Sequence, residues 1–341
     1  MRTAVIPRPG PPDVLEIQDR PTPTPAPGEV LVRVYASALN RADLAQRRGR
    51  YPAPPGVPAD VPGLEYAGEV VACAPDVTAR RVGDRVMGLV GGGGHAEYVV
   101  TDARTTLAIP DGLSWEEAAA IPEAFITAHD GLAQAHFARG EVVLVHAVGS
   151  GVGLAAVQLV RALGGTALGT ARTPAKLEQA RAHGMLAGLA VLPDVARDPA
   201  ALRDALVAFV HAHTAERAPE HRGADVALDL AGGTYVNATL HALAPMGRAI
   251  LIGLVAGGRD TVDLDRVLRG RLTLRGTVMR SRGLEERIAT AERFAAAVLP
   301  LIADRAVHAT IEAVFPLERI AEAHALLESN ATTGKIVLTM R

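Results

Sequence analysis

Three glycines separated by single residues, Gly149-Ser150-Gly151-Val152-Gly153, stand between the apolar stretch EVVLVHA and the longer LAAVQLVRALGG. Gly149 and Gly151 permit a tight turn, and Gly153 lets a following helix pack close to the strand before it. Free backbone N–H groups and the positive end of the helix dipole then converge on one point, which suits a pyrophosphate. The spacing is not the standard G-x-G-x-x-G, so the glycines alone do not separate a dinucleotide site from a plain turn. The strand–turn–helix context, followed by a second strand at the right distance, favours the dinucleotide.

That second strand, read over Thr166 to Ala171, selects the dinucleotide. An NAD site places Asp or Glu at its end to bind the ribose 2′-hydroxyl. Here the chain continues Arg172-Thr173-Pro174-Ala175-Lys176. No carboxylate is present, and two cations and a hydroxyl can surround a 2′-phosphate, Arg as a planar fork and Lys as a point charge. Cations near a helix start are mildly unfavourable with nothing to bind, which argues against a merely solvated helix end. The expected cofactor is NADPH.

The elements that must position this turn fall into two patterns. Residues 1–100 are rich in Pro and Gly with short β-type runs, among them EVLVRV from Glu29 and AEYVV from Ala96. From Ser114, where Ser114 and Glu117 form a capping box, short apolar strands alternate with helices. Strands are expected at Glu141–Ala147, Thr166–Ala171, Asp225–Leu230, Arg248–Gly253 and Leu272–Val278, with helices such as Val152–Leu163 and Pro174–His183 between them. Such alternation implies a parallel sheet covered on both faces. The polar stretch Asp194–Arg222 reads as a surface excursion. A last helix near Leu317–Glu328 and the strand Lys335–Thr339 return to β character and should rejoin the first domain. The expected fold is α/β, with boundaries 1–120 for a β-rich domain, 121–282 for a dinucleotide-binding domain and 283–341 for the return.

Composition narrows the function. The 341 residues carry a formal net charge of −2, which gives no reason to expect nucleic acid or an anionic membrane as partner. The start MRTAVIPRPG meets prolines at once and does not read as a signal peptide, and no apolar stretch reaches membrane-spanning length, so a cytoplasmic protein is expected. The single cysteine, Cys73, excludes an internal disulfide and any cysteine-based zinc cluster. Gly91–Gly94, ahead of His95, reads as a flexible connection, or more sharply as a mobile lid.

The combination ALNRAD, GRYPAPPG, GLEYAGEV, VGDRVMGL, IPEAFITA, HAVGSGVG and GKIVL resembles the zinc-independent quinone oxidoreductase branch of the medium-chain dehydrogenase/reductase superfamily. The resemblance covers nearly the whole chain. It implies a GroES-like catalytic domain built from both chain ends around a Rossmann domain with a doubly wound parallel sheet, the substrate cleft between them. It also implies a homodimer formed by pairing the last Rossmann strands, here Leu272–Val278. Zinc-dependent relatives carry Cys and Gly-His-Glu where this chain has Asn40 and Leu64-Glu65, so no metal site is expected.

By the same resemblance, Asn40 sits beside the nicotinamide ribose, and Tyr51 lines the acceptor cleft and can stack on a ring. Thr127 touches the nicotinamide half, Gly253 and Leu254 lie near it, Met279 follows just beyond the sixth strand, and Lys335 is a cofactor-side contact. Without zinc nothing obvious polarises a simple carbonyl. The implied acceptor is therefore a small molecule that takes hydride readily, a quinone or an enone, and catalysis rests on proximity. A 2-enoyl thioester or enone reductase of the same superfamily and a non-catalytic, crystallin-like NADPH-binding protein remain as alternatives.

Overall fold

The computed structural model describes residues 1–340, which divide into two compact units, 1–126 with 279–340, and Thr127–Val278. In the second unit six strands form one wholly parallel sheet. Across the sheet they run Ala187–Ala190, Thr166–Ala171, Val142–Val145, Ala224–Asp229, Leu243–Leu251 and Thr273–Gly276. Numbered along the chain this is the order 3-2-1-4-5-6 of the doubly wound dinucleotide fold, whose direction reverses beside the first strand. The glycine turn leaves that first strand, at the position where such sheets bind their ligands. Val143, Leu144 and Val145 are fully buried, as expected of a strand covered on both faces.

Strand boundaries differ by a few residues from those the apolar runs suggest, most at Leu243–Leu251, which begins five residues before the expected Arg248. The segment 194–222 is more than a surface excursion. It contains the helix Pro199–Ala212, capped at Asp198, whose Leu202, Leu206 and Val210 are completely buried in the core of this unit. The spacing of these three residues at i, i+4 and i+8 marks a single apolar helix face, obscured by the polar residues and histidines around it.

The first unit centres on a mixed seven-stranded sheet and a separate two-stranded pair, Arg2–Val5 with Glu16–Asp19. The long strand Glu29–Ala38 pairs antiparallel with Glu65–Cys73 and Tyr98–Asp102. It also pairs with Lys335–Thr339 from the far end of the chain, Val337 opposite Ala38. This last pairing carries Lys335 to the neighbourhood of Asn40. The Ser114–Glu117 capping box forms, with Glu117 N donating to Ser114 Oγ at 3.1 Å and Ser114 N to Glu117 Oε2 at 2.8 Å. No helix among the described residues is long and apolar enough to cross a membrane.

Candidate active site

The residues singled out by sequence fall into two groups, one within each unit. In the second unit Ser150 caps the helix Gly151–Ala162: its Oγ accepts from Gly153 N at 3.1 Å and donates to the Ala147 carbonyl at 2.9 Å. Ala147 adopts a left-handed φ of 51°, which bends the chain out of the strand. A Cβ on Gly153 would lie 2.5 Å from the Ala147 oxygen, so only glycine lets the helix approach this closely. Val152 follows in the first turn, part-buried. A Cβ on Gly149 would meet the Lys176 side chain at 2.7 Å, which shows that Lys176 lies directly against the turn.

Arg172 and Thr173, both exposed, follow the end of the strand Thr166–Ala171, and Thr173 heads the helix Pro174–Ala182 without making a capping bond. Arg172 is near enough to Tyr235 to act on its phenol, which burial and Asp229 push up and the guanidinium pulls back. Gly253 follows the strand Leu243–Leu251, its N–H held by the Asp229 carbonyl at 3.1 Å, and a Cβ there would meet the Leu230 oxygen at 2.6 Å. Leu254 beside it is 57 % exposed. Thr127 is buried, and its hydroxyl has no hydrogen-bond partner within the protein. A glycine cradle at a helix N-terminus, adjacent basic side chains and an orphaned buried hydroxyl are what a phosphate-bearing nucleotide requires of its host.

His146, at the start of the turn, was not singled out by its residue type. It is fully buried, with Nδ1 2.9 Å from Thr170 Oγ1 and Nε2 2.7 Å from Thr239 Oγ1, and its ring meets Tyr235 edge-on at 5.0 Å. Burial pulls its pKa down, so the ring stays neutral and ties the first strand to the second strand and to the helix Tyr235–Ala242.

The first unit assembles a different cluster. Asn40 precedes the helix Arg41–Arg47, its N–H donating to Asp43 Oδ2 at 2.7 Å, and its side-chain amide donates to Glu65 Oε1 at 2.9 Å. Lys335 is buried and donates to Leu39 O at 3.0 Å, Asn40 Oδ1 at 2.5 Å and Glu65 Oε1 at 2.6 Å. Its three N–H donors are thereby all accepted by protein oxygens. Lys335 thus lies directly against Asn40 and holds the oxygen of its side-chain amide. Glu65 is fully buried, and its second oxygen accepts from Glu123 N at 2.7 Å.

Beside this pair, Asp43 is completely buried, accepts from Gly63 N at 3.0 Å, and is held low in pKa against its own burial by His95. His95 in turn has Nδ1 2.8 Å from Ser37 Oγ. Glu123 is pushed up to about 7 by burial, with Glu65 and Asp43 adding to the rise and Lys335 opposing it.

Tyr51 is part-buried, and the Arg280 guanidinium lies 4.8 Å from its ring centroid. Met279, one residue before, is part-exposed and opens the C-terminal segment of the unit. Gly91–Gly94 are not a loose surface connection: all four are buried, and a Cβ on Gly94 would lie 2.7 Å from the Glu65 carbonyl oxygen. Arg280, Glu123, Asp43 and His146 were all missed from sequence. Glu123 is part-buried and lies within the IPEAFITA segment, but nothing in its residue type announced its raised pKa.

Neither unit offers a metal a donor set: among the described residues no group of three or more His, Cys, Asp or Glu is placed to hold one. Both oxygens of Glu65 are already engaged by Lys335, Asn40 and Glu123.

Two family models match the chain, an alcohol dehydrogenase GroES-like domain over residues 26–111 and a zinc-binding dehydrogenase domain over residues 205–338. The quinone oxidoreductase of Pseudomonas aeruginosa is 33 % identical over 96 % of this chain and 96 % of its own length. That of Lama guanicoe is 30 % identical over 100 % of this chain and 98 % of its own. Among solved structures, the quinone oxidoreductase of Thermus thermophilus, described free and in complex with NADPH, superposes with a TM-score of 0.79 at 31 % identity over 100 % of both chains. An NAD-dependent alcohol dehydrogenase superposes with a TM-score of 0.83, also at 31 % identity over 100 % of both chains. Similarity of this extent, running through both domains, makes the chain a member of the quinone oxidoreductase family, an oxidoreductase of the medium-chain dehydrogenase/reductase superfamily.

Proposed function

We propose that this oxidoreductase takes hydride from NADPH and delivers it, without a metal, to a quinone-like acceptor. The observation that carries the choice of cofactor is the end of the second parallel strand. Arg172 and Thr173 stand there with Lys176 against the glycine turn, and no carboxylate is available for a free ribose hydroxyl. When bound, NADPH supplies the hydride. Gly149, Ser150, Gly151, Val152 and Gly153 would hold its pyrophosphate, and Arg172, Thr173 and Lys176 the 2′-phosphate. Thr127, Gly253, Leu254 and Met279 are proposed for the nicotinamide side, the orphaned Thr127 hydroxyl being the atom that most needs a partner. The names of the relatives support this reading, a quinone oxidoreductase structure solved with NADPH among them.

On the acceptor side Asn40 presents an amide whose rotamer is fixed by Lys335 and Glu65, and Tyr51 presents a ring for an aromatic acceptor to stack upon. With no Lewis acid, orientation and exclusion of water are what these residues contribute, which suffices for an acceptor that accepts hydride readily. The four residues of the outermost parallel strand, Thr273–Gly276, are all exposed, and we propose that a second copy pairs there to form a homodimer.

The test is oxidation of NADPH and NADH against an ortho-quinone, a para-quinone, an enone and an enoyl thioester. NADPH-selective turnover of a quinone is expected. Turnover of the thioester alone would move the protein to the enoyl-reductase branch, and tight NADPH binding without turnover of any acceptor would remove the catalytic reading.

A further inference from the structure

Arg280 stands out among the charged residues of the first unit. It is only 9 % exposed, yet its three hydrogen bonds all end on neutral oxygens. Nε donates to the Gly91 carbonyl at 2.6 Å, one terminal nitrogen to the Tyr51 carbonyl at 3.0 Å and the other to Gln46 Oε1 at 2.7 Å. Its face lies over the Tyr51 ring. Burial lowers its pKa, and the groups that oppose this are Tyr51 and Asp43. A guanidinium buried without a carboxylate against it is expensive to maintain. An apolar side chain of similar volume would fill the space at less cost but could not bind three oxygens in one plane while covering a ring.

The three oxygens belong to three separate segments of the chain, two of them backbone carbonyls and the third the Gln46 side-chain amide. Gln46 ends the helix that follows Asn40, Tyr51 begins the proline-rich segment 51–58, and Gly91 opens the buried glycine run. Gly91 is packed against that proline-rich segment so closely that a Cβ would lie 2.9 Å from Val57 and 3.0 Å from Pro54. Arg280 therefore joins the acceptor-side loop to its support at the point from which the Tyr51 ring projects.

We propose that Arg280 is a positioning residue that fixes the orientation of the Tyr51 ring, and through it determines which planar acceptors the enzyme uses. The inference deepens the function proposed above and rests on Tyr51 facing the acceptor.

Its test compares wild type with Arg280→Lys and Arg280→Met. Three readouts are needed: NADPH affinity by fluorescence titration, kcat and KM for a one-ring and a two-ring quinone, and the Tyr51 phenol titration followed by ultraviolet difference against Tyr51→Phe. In Arg280→Met the quinone KM should rise roughly three- to thirtyfold as the Tyr51 segment loses the fork that holds it, and unequally for the two quinones. NADPH affinity should stay within about twofold of wild type. Removing the cation should also move the Tyr51 phenol pKa upward. Arg280→Lys, which keeps the charge but loses the fork, should restore the phenol titration and leave the KM effect.

Equal loss of NADPH affinity and quinone use would mark Arg280 as a general structural residue and overturn the proposal, as would an unmoved phenol titration with unchanged KM. Should Arg280→Met fail to fold, Arg280→Lys decides alone: an unchanged KM for both quinones overturns it. If wild type turns over no quinone, the proposed function falls, while the phenol titration still reports whether Arg280 governs Tyr51.

Discussion

Lys335 and Glu65 form a buried ion pair 2.6 Å long, 270 residues apart in sequence, with Asn40 hydrogen-bonded to both partners. The strand pairing of Lys335–Thr339 with Glu29–Ala38 makes the meeting possible. Both charges are buried away from solvent, so each depends on the other. Lys335→Met should cost about 3–5 kcal/mol of stability, because it leaves the Glu65 carboxylate buried and uncompensated. Replacing both, as Glu65→Leu with Lys335→Met, should recover much of that loss while leaving Asn40 without its orienting partners. Denaturant unfolding of the three variants measures the first effect, and the KM for a quinone the second. A double variant no more stable than Lys335→Met alone would show that the pair is not an isolated electrostatic unit.

Glu123 adds a pH dependence of opposite sign to that of an ordinary carboxylate. In the unfolded chain it releases its proton near the usual 4.5, whereas in the fold it holds it up to about 7. Between those values the folded protein binds more protons than the unfolded one, so stability falls as pH rises through that window and levels off above it. The contribution is about 3 kcal/mol for a shift of this size. Glu123→Gln, which mimics the protonated form, should therefore match wild type near pH 5 and exceed it in stability at pH 8. Thermal or urea unfolding at the two pH values checks this, and a constant difference between the proteins at both would contradict it.

What the sequence disclosed and what it withheld follow a physical division. The glycine turn, the parallel strands and the C-terminal strand are local patterns: apolar periodicity, a capping box and glycine spacing declare themselves within a dozen residues. The helix Pro199–Ala212 escaped because its buried face is only Leu202, Leu206 and Val210, diluted by histidines and charges. Arg280, Glu123, Asp43 and Lys335 are different in kind. Their roles arise from burial and from partners up to 296 residues away, as between Lys335 and Leu39, and no periodicity records such a meeting. The polar residues that do the orienting were therefore legible only in three dimensions.

Metal removal tests the donor-set argument. With a single cysteine in the chain and no cluster of three metal-binding side chains among the described residues, prolonged chelation should leave both activity and melting temperature unchanged. Metal analysis of the purified protein should return well under one equivalent of zinc. Inactivation by chelator, reversed by zinc and by no other cation, would show that a donor set forms that the described arrangement does not contain.

The sharpest discrimination concerns Arg172. Its side chain is exposed, close enough to Tyr235 to act on the phenol, and followed by Thr173 with no capping bond to make. If this end of the strand receives a 2′-phosphate, Arg172→Glu sets a carboxylate against a dianion, and one charge-assisted contact is lost besides. The affinity for NADPH should fall roughly ten- to a hundredfold, the equivalent of about 1.5–3 kcal/mol. NADH, which has a hydroxyl in place of that phosphate, should bind as well as before or better, since a carboxylate at this position is what NAD sites use. Fluorescence titration with both nucleotides separates the cases without any need for turnover. Equal weakening of the two would place Arg172 away from the 2′-position, and an unaffected NADPH affinity would assign the phosphate to Lys176 and Thr173 alone.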